Sequence, residues 1–521
     1  MSSERSIEDV VETIKKAKES GRGCALLLGA GCSMSAGIPI ASGFVEAISK
    51  EYPRAYKRAE TKTYAACMAE LAPAERRDLI ARYIDKAKPN WAHIGVAQLV
   101  ARGFADRVLT VNFDPLLVRA CSLVGAFPAA YDLAASQLFA PAEVPAPAVF
   151  YLHGQRSGFV LMNTKAECEK HAATLSPIFE DAGRGRVWIV AGYSGENDPV
   201  FDHLASVKRF DHNLYWIGYE RADPPLHVRS RLLSEEKYAF HVGGYDADSF
   251  FIKLAQSLNC FPPPIVSDPF GHLDSILSGV CPFPVSGSEK EVDPVKDARR
   301  ALKKARDLFQ TKRSHHIASE MEKAYIEGKI DDVIKIGRKQ KRIKGVEKRL
   351  FLGALQQKAR AKAIAVKRSR KKIPDIQFAD MKSMIDEIIK HAPNDADLLS
   401  DAGITLAILS YALTGETRSS ILERAEQLLA RAARLEPGNH LYNLACVQSL
   451  MGLQVPTKEN LRRAFAAGDV PGLTQIEADS DLEAIRDKKW FKELLKKQKL
   501  KKPKIDLTPV RAKQRRAKRA Q

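Results

Sequence analysis

Five short apolar runs mark out the first half of the chain: CALLL (24–28), RVLTV (107–111), AVFYL (148–152), RVWIV (186–190) and NLYWI (213–217). Each is too short for a helix and apolar at nearly every position, the pattern of a strand buried on both faces. Helix-period segments separate them, among them WAHIGVAQLVARG (91–103). Ile7, Val10, Val11 and Ile14 share one helical face, with Ser6 placed to cap it, and Phe250, Phe251, Leu254 and Leu258 form the face of a closing helix. Strand and helix in alternation predict a parallel sheet covered on both sides, an α/β Rossmann-like domain.

The pattern then changes. Residues 262–295 are rich in Pro, Gly and Ser (FPPP from Phe261, then SDPFG and CPFPVSGSEK), which reads as a linker. From about 296 onward the sequence is helical. In ILERAEQLLARAARLEPGNHLYNLACVQSLMG (421–452), Leu422, Ala425, Leu428, Leu429, Ala432 and Leu435 form a stripe that stops at Pro437-Gly438. A new helix starts at Tyr442, and Pro393 stands 44 residues before Pro437. This resembles a tetratricopeptide repeat lengthened by an insertion, TGETRSS (414–420), with 461–495 as the element that closes the array. The expected organisation is an α/β domain over 1–262, a linker over 263–295, an all-α tetratricopeptide-repeat-like domain over 296–495, and a basic, disordered tail over 496–521.

Charge separates the halves. Of 82 Lys/Arg and 63 Asp/Glu, residues 1–290 hold 31 and 33, so the net charge of +19 belongs to the second half. It concentrates in 291–372 (26 against 10) and 496–521 (12 against 1), with runs such as GRKQKRIKGVEKR (337–349) and KRSRKK (367–372). Without interleaved aromatics these runs offer phosphate neutralisation without base reading, so nucleic acid is a minor partner expectation beside a plain solvated face. No apolar stretch has the length of a membrane span, and the amino terminus is charged and amphipathic, so neither a membrane nor a signal peptide is expected. Eight scattered cysteines with no CxxC pair suit reduced thiols in a cytoplasm and no thiolate zinc site.

The densest chemical signal is GAGCSMSAGIP (29–39), directly after CALLL. A glycine turn that feeds a helix presents backbone N–H groups suited to a pyrophosphate, which makes Gly29, Ala30, Gly31 and Ser33 candidate binding residues. Met34 stands where a GxGxxG fingerprint needs its third glycine. Alone, the motif is weak evidence and leaves a simple strand–helix turn as a reasonable alternative.

Three further segments extend it. KPNWAHIGVAQLVARGFADRVLTVNFDPLL (88–117) ends in the turn Val111-Asn112-Phe113-Asp114; YLHG (151–154) carries His153; IVAGYSGENDP (189–199) carries Gly192 and Ser194. Together, and in this order, they resemble the NAD-binding motifs of sirtuins, over roughly residues 20–260. Sirtuin deacylases carry two CxxC pairs after the histidine, whereas Cys168 is the sole cysteine between His153 and Gly192. Ile40-Ala41-Ser42-Gly43 also stands where those enzymes have an aspartate, phenylalanine and arginine. The chain is more similar to the zinc-free sirtuin-like domains of bacterial antiviral defence, which hydrolyse NAD.

What the resemblance implies can be put in chemical terms. Nicotinamide leaves NAD as a neutral base from a cationic linkage, so no general acid is needed. The requirements are an accommodated oxocarbenium-like ribose and a placed water. Asn112, with one amide donor and one acceptor, can orient water or ribose hydroxyls. His153 can act as a base toward the water or toward a ribose hydroxyl. Asp114 either fixes the Asn112 amide or meets the nicotinamide carboxamide. Asn112 and His153 are thus the expected catalytic pair, with Gly29, Ala30, Gly31, Ser33, Asp114, Gly192 and Ser194 as NAD-binding residues and no metal. For His93 a packing or capping role is expected at least as much as a catalytic one, and Asp198 either meets the adenine ribose or caps a turn. The expected activity is NAD hydrolysis to nicotinamide and ADP-ribose, in a homo-oligomer switched on by a protein trigger at the helical half. Protein deacylation, ADP-ribosyl transfer and non-catalytic NAD sensing are the alternatives.

Overall fold

The computed structural model describes residues 4–135, 144–196, 198–219, 224–281, 293–313, 320–340, 342–369, 373–471, 476–477 and 479–500. The chain divides into two compact units, 1–343 and 344–521.

The first unit is built on one all-parallel, seven-stranded sheet of order β3-β4-β2-β1-β5-β6-β7. The strands are β1 (Cys24–Leu28), β2 (Ala105–Thr110), β3 (Ala129–Asp132), β4 (Ala148–Tyr151), β5 (Val187–Ala191), β6 (Leu214–Ile217) and β7 (Ala239–Val242). Every residue of β1, β4, β5, β6 and β7 is buried, as double-sided coverage demands. The five expected strands are present, with ends displaced by up to two residues. Two more, β3 and β7, join them at the sheet's edges, where a four-residue strand leaves little trace in a sequence.

Two apolar layers sandwich the sheet. One collects Ile7, Val10 and Ile14 from the first helix, Val96 and Leu99 from Trp91–Ala101, and Phe250, Phe251 and Leu254 from Ala247–Ser257. The other collects Phe150, Trp188, Phe201 and Trp216. The first helix, Ile7–Glu19, starts at Ser6, whose hydroxyl accepts from the Asp9 amide while the Asp9 carboxylate accepts from the Ser6 amide. Gly95 lets Trp91–Ala101 approach Ala247–Ser257, since a Cβ there would lie 2.7 Å from that of Phe251.

The stretch expected as a linker contains the helices Pro264–Ser267 and Pro269–Ser278 before its undescribed portion. The helices Pro294–Arg313, Glu320–Ile326 and Ile330–Lys339 cluster with the sheet unit, so the compact division falls at 343 instead of 296.

The second unit is helical: Gly345–Ser369, Asp375–His391, Ala396–Ser410, Gly415–Leu435, Leu441–Leu450, Gln454–Ala467 and Lys489–Leu500, with short turns of helix at 480–486. Neighbours in sequence pack on each other from Ala396 through Ala467. Pro393 and Pro437 each stand two residues past a helix end. The extra residues 414–420 form no separate loop: Thr414 precedes, and 415–420 begin, the 21-residue helix Gly415–Leu435. Gly403 allows its helix to meet that one, since a Cβ would lie 2.8 Å from Leu429 Cγ. Leu441, Leu461, Leu482, Ile485 and Phe491 close the end of the unit. Residues 496–500, expected within a disordered tail, finish the last helix, and 501–521 lie outside the described residues. Among the described residues no single helix is long and apolar enough to cross a membrane.

Candidate functional site at the carboxyl edge of the sheet

Strand register sets the site. Leu28 of β1 pairs with Thr110 of β2 on one side and Ala191 of β5 on the other, and Thr110 pairs with Tyr151 of β4. Four adjacent parallel strands therefore end in line. The residues that follow, Gly29, Asn112, His153 and Gly192, emerge at the same edge. The chain moves outward from β1 through β2 and later resumes on β1's other side with β5, so this edge includes the topological switch point where open α/β sheets form a crevice.

At that switch the backbones touch. Gly29 donates to Ala191 O at 3.0 Å and Gly31 to Gly192 O at 2.8 Å. A Cβ on Gly29 would lie 2.5 Å from Gly192 O, and one on Gly31 2.8 Å from Gly192 Cα. Gly192 itself has φ +64, a conformation that L side chains rarely adopt. These glycines are required by close approach. The expected helix is a seven-residue 3₁₀ helix, Ala30–Ala36, ended by Gly37. The amides of Gly29, Gly31 and Cys32 are taken by Ala191, Gly192 and Gly29 carbonyls, so the turn offers fewer free donors than expected.

Behind the turn lies a polar network. The Ser33 hydroxyl, 1% exposed, donates to Asp114 Oδ2 at 2.8 Å, and Asp114 Oδ1 accepts from the Leu116 amide at 3.0 Å. The half-buried Asn112 sends its side-chain amide to Gly29 O (3.0 Å) and to Ser33 Oγ (3.2 Å). That leaves the Asn112 Oδ1 acceptor for other work. Asp114 thus acts on Asn112 through Ser33, and the fixing role is the one its contacts match. His93, 3% exposed, stands 3.4 Å from Ser33 Oγ and takes part in the cap of its own helix with Asn90. Burial pushes the His93 ring below its ordinary value, against the charges of Asp114 and Asp248, which favours the neutral form. Asn90 also ties Cys32 O and Ser35 Oγ, and Asp248 receives the Ala92 amide and the Ser35 hydroxyl.

His153, 7% exposed, stands on the neighbouring strand end. Its Nε2 lies 3.1 Å from each oxygen of Asp198, and its Nδ1 lies 4.0 Å from Cys168 Sγ. Burial alone would lower the ring's pKa, but the charge and hydrogen bond of Asp198, with Cys168, overcome this and raise it from 6.5 to about 10. Burial likewise opposes Asp198, which the His153 charge, the Val200 amide and Tyr193 hold below the usual carboxylate value. Asp198 therefore favours the charged form of the ring, where the sequence reading makes His153 a base, and both ring nitrogens face protein groups.

The remaining expected residues spread along the same edge. Ala30 is half-buried at the turn, and Gly192 packs against it. Ser194 is exposed, its hydroxyl accepting from the Glu196 amide and its carbonyl from His227. Asp198 does cap the turn, accepting from the Val200 amide at 3.0 Å, but its facing of His153 was not anticipated. An Asp-Pro pair ahead of a helix is the signal that it caps, and nothing local announces a histidine 45 residues earlier. An open depression of about 390 Å³, lined by Gln98, Arg102, Phe127, Pro147 and Pro264, lies toward the amino ends of the strands, away from these groups. Among the described residues two clusters in the helical unit bring metal-ligand types together: Asp397 with Glu436 and His440, and Cys446 with Asp479 and Asp481. The second is already satisfied by the Tyr411 and Tyr442 hydroxyls.

Fold and site thus define a parallel α/β domain with its polar groups gathered at the carboxyl edge, joined to a helical unit. Among solved structures, a Sir2 homologue in complex with NAD matches at 18% identity over 50% of this chain and 96% of its own, with a TM-score of 0.31. A mutant Sir2 homologue bound to ADP-ribose matches at 19% identity over 48% and 96%, TM-score 0.31. A sirtuin structure concerned with substrate affinity matches at 16% over 49% and 100%, TM-score 0.28. No protein-family model and no curated protein matches the sequence.

Proposed function

We propose that the sheet unit is a sirtuin-like, zinc-free domain that cleaves the nicotinamide–ribose bond of NAD with water, giving nicotinamide, ADP-ribose and a proton. The observation that carries this reading is the alignment of Gly29–Gly31, Asn112, His153 and Gly192 at the ends of four adjacent strands. The glycine contact removes side chains where a pyrophosphate backbone would have to approach. Asn112, held through its amide by Gly29 and Ser33, presents its oxygen to a water or to ribose hydroxyls. His153 supplies a second polar group to the ribose. Because the leaving group is already cationic, positioning and charge placement are the whole task.

The helical unit, tetratricopeptide-repeat-like, serves in this reading as the sensor and oligomerisation module of a cytoplasmic effector of bacterial antiviral defence. Stacked helices offer the surface for a protein trigger, and the basic runs are a secondary place for nucleic acid. Incubating the purified chain with NAD, alone and with candidate triggers, tests the catalytic claim by nicotinamide and ADP-ribose release. Failure under every condition, or unchanged turnover in Asn112→Ala and His153→Ala, overturns it.

A second reading, NAD binding without turnover, is favoured by one feature: both His153 ring nitrogens face protein groups. Saturable NAD binding with no products, trigger present, would select it.

A further inference from the structure

We infer that Asp198 is the positioning residue of the His153 centre: its carboxylate grips the ring through Nε2 and so leaves Nδ1, which stands 4.0 Å from Cys168 Sγ, as the nitrogen free to exchange that neighbour for a ribose oxygen. This rests on the reading of the site as one that handles NAD. The geometry is that of an orienting carboxylate. Both oxygens stand 3.1 Å from one nitrogen, with side-chain exposures of 9% for His153 and 16% for Asp198. The carboxylate is itself fixed, since Oδ1 also accepts the Val200 amide at the start of Val200–Ser206. A carboxylate anchored on one side and paired on the other selects which ring nitrogen is left to work.

The surroundings are consistent with a charged ring. Cys168 and His171, from the helix Lys165–Ala172, face His153 from one side; Asp198 and Tyr193, from the segment after β5, face it or its partner from the other. His171 is pushed down by burial and by the His153 charge, so it adds no competing positive charge. Tyr193 is pushed up by burial and by Asp198 and Asp202, so it remains a neutral phenol. Asp198 is thus the one anion hydrogen-bonded to the ring among the described residues. A donor imidazolium paired with a carboxylate places no net charge beside the developing oxocarbenium ion, whereas an unpaired one would oppose it. No covalent step or added reagent is involved. The Nδ1 proton stays on the ring and only its acceptor changes, from the Cys168 side to the substrate.

The test uses the full chain with histidine-labelled ring resonances, the His153 signal being the one lost in His153→Gln. In the wild type that ring should stay charged to about pH 9, and in Asp198→Asn it should titrate at least about two pH units lower. With NAD, Asp198→Asn should lower kcat at least about tenfold at pH 8.5, leave KM within about threefold, and recover most of the loss at pH 5.5, where the ring is protonated without help. Asp198→Glu should restore part of the rate at pH 8.5. Equal loss at every pH marks a merely structural Asp198 and overturns the inference. A variant that gains activity as pH rises through 7 marks His153 as a base and also overturns it. If no variant and no wild type turns NAD over, the hydrolase reading falls, while the ring titration still decides whether Asp198 sets the state of His153.

Discussion

The Gly31 amide donates to the Gly192 carbonyl across 2.8 Å, and with the bond from Gly29 to Ala191 O it joins the end of β1 to the end of β5 at the sheet's switch point. Neither residue can gain a Cβ without meeting the other's backbone: one on Gly31 would lie 2.8 Å from Gly192 Cα, and one on Gly192 2.9 Å from Gly31 C and 2.5 Å from Cys32 N. The floor of the candidate site is therefore a glycine contact, and its geometry depends on a residue 161 positions away from Gly31.

Gly31→Ala should separate the two strand ends. Overpacking against backbone costs about 1–3 kcal/mol, and NAD binding should weaken alongside stability. Gly192→Ala should cost at least as much, because φ +64 adds strain to the clash. Urea denaturation and NAD titration by calorimetry check both. Stability and binding equal to wild type would show that the contact relaxes freely.

Asn112→Ala removes hydrogen bonds to Gly29 O and Ser33 Oγ from a half-buried side chain, with a stability loss of about 1–2 kcal/mol. Its effect on NAD turnover should be far larger, about a hundredfold or more in kcat, if its free oxygen places the water. Product release with time against the melting temperature separates the two.

Asp114→Asn leaves Ser33 and the Leu116 amide competing for one acceptor in a fully enclosed site. We expect a loss of about 1–3 kcal/mol. Ser33→Ala and the double variant should be non-additive by about 0.5–2 kcal/mol, because the two side chains share one bond. A double-mutant cycle in urea checks this; simple additivity would mean that the network is not coupled.

The His153–Asp198 pair makes stability depend on pH with a definite sign. Burial opposes the His153 charge, yet Asp198 raises the ring from 6.5 to about 10, so its stabilising contribution is complete below 6.5 and is lost as pH climbs toward 10. Asp198 is held below 3.8, so its contribution is complete above 3.8 and is lost as pH falls through the lowered value. The margin of wild type over His153→Gln in melting temperature should be widest near pH 5–6 and shrink steadily to pH 10. A margin independent of pH would remove the ion pair from the account.

In the helical unit, Gly403→Leu should destabilise by about 2–4 kcal/mol, since even a Cβ would meet Leu429 Cγ at 2.8 Å and Ala425 O at 3.1 Å. Loss of the helical signal on heating is the measurement. An unchanged melt would show that the two helices can move apart without penalty.

The amino-acid sequence by itself determined the architecture. Runs such as CALLL and RVWIV are apolar at almost every position, and only a strand covered on both faces hides that much apolar surface in five residues. Ser6 and Pro437 marked helix limits through local backbone chemistry, which needs no distant partner. Asn112 and His153 are singled out by the resemblance of their segments to sirtuin motifs, and strand register brings both to one edge of the sheet. Tertiary structure alone decided what their side chains face. The pairing of Asp198 with His153, the closure of Gly31 on Gly192, and the path from Asp114 through Ser33 to Asn112 are all set by strand register across the sheet. Register is a property of long-range pairing, so a buried His153 held by a carboxylate that raises its pKa could not be read from YLHG, where an ordinary histidine near neutrality was the natural expectation.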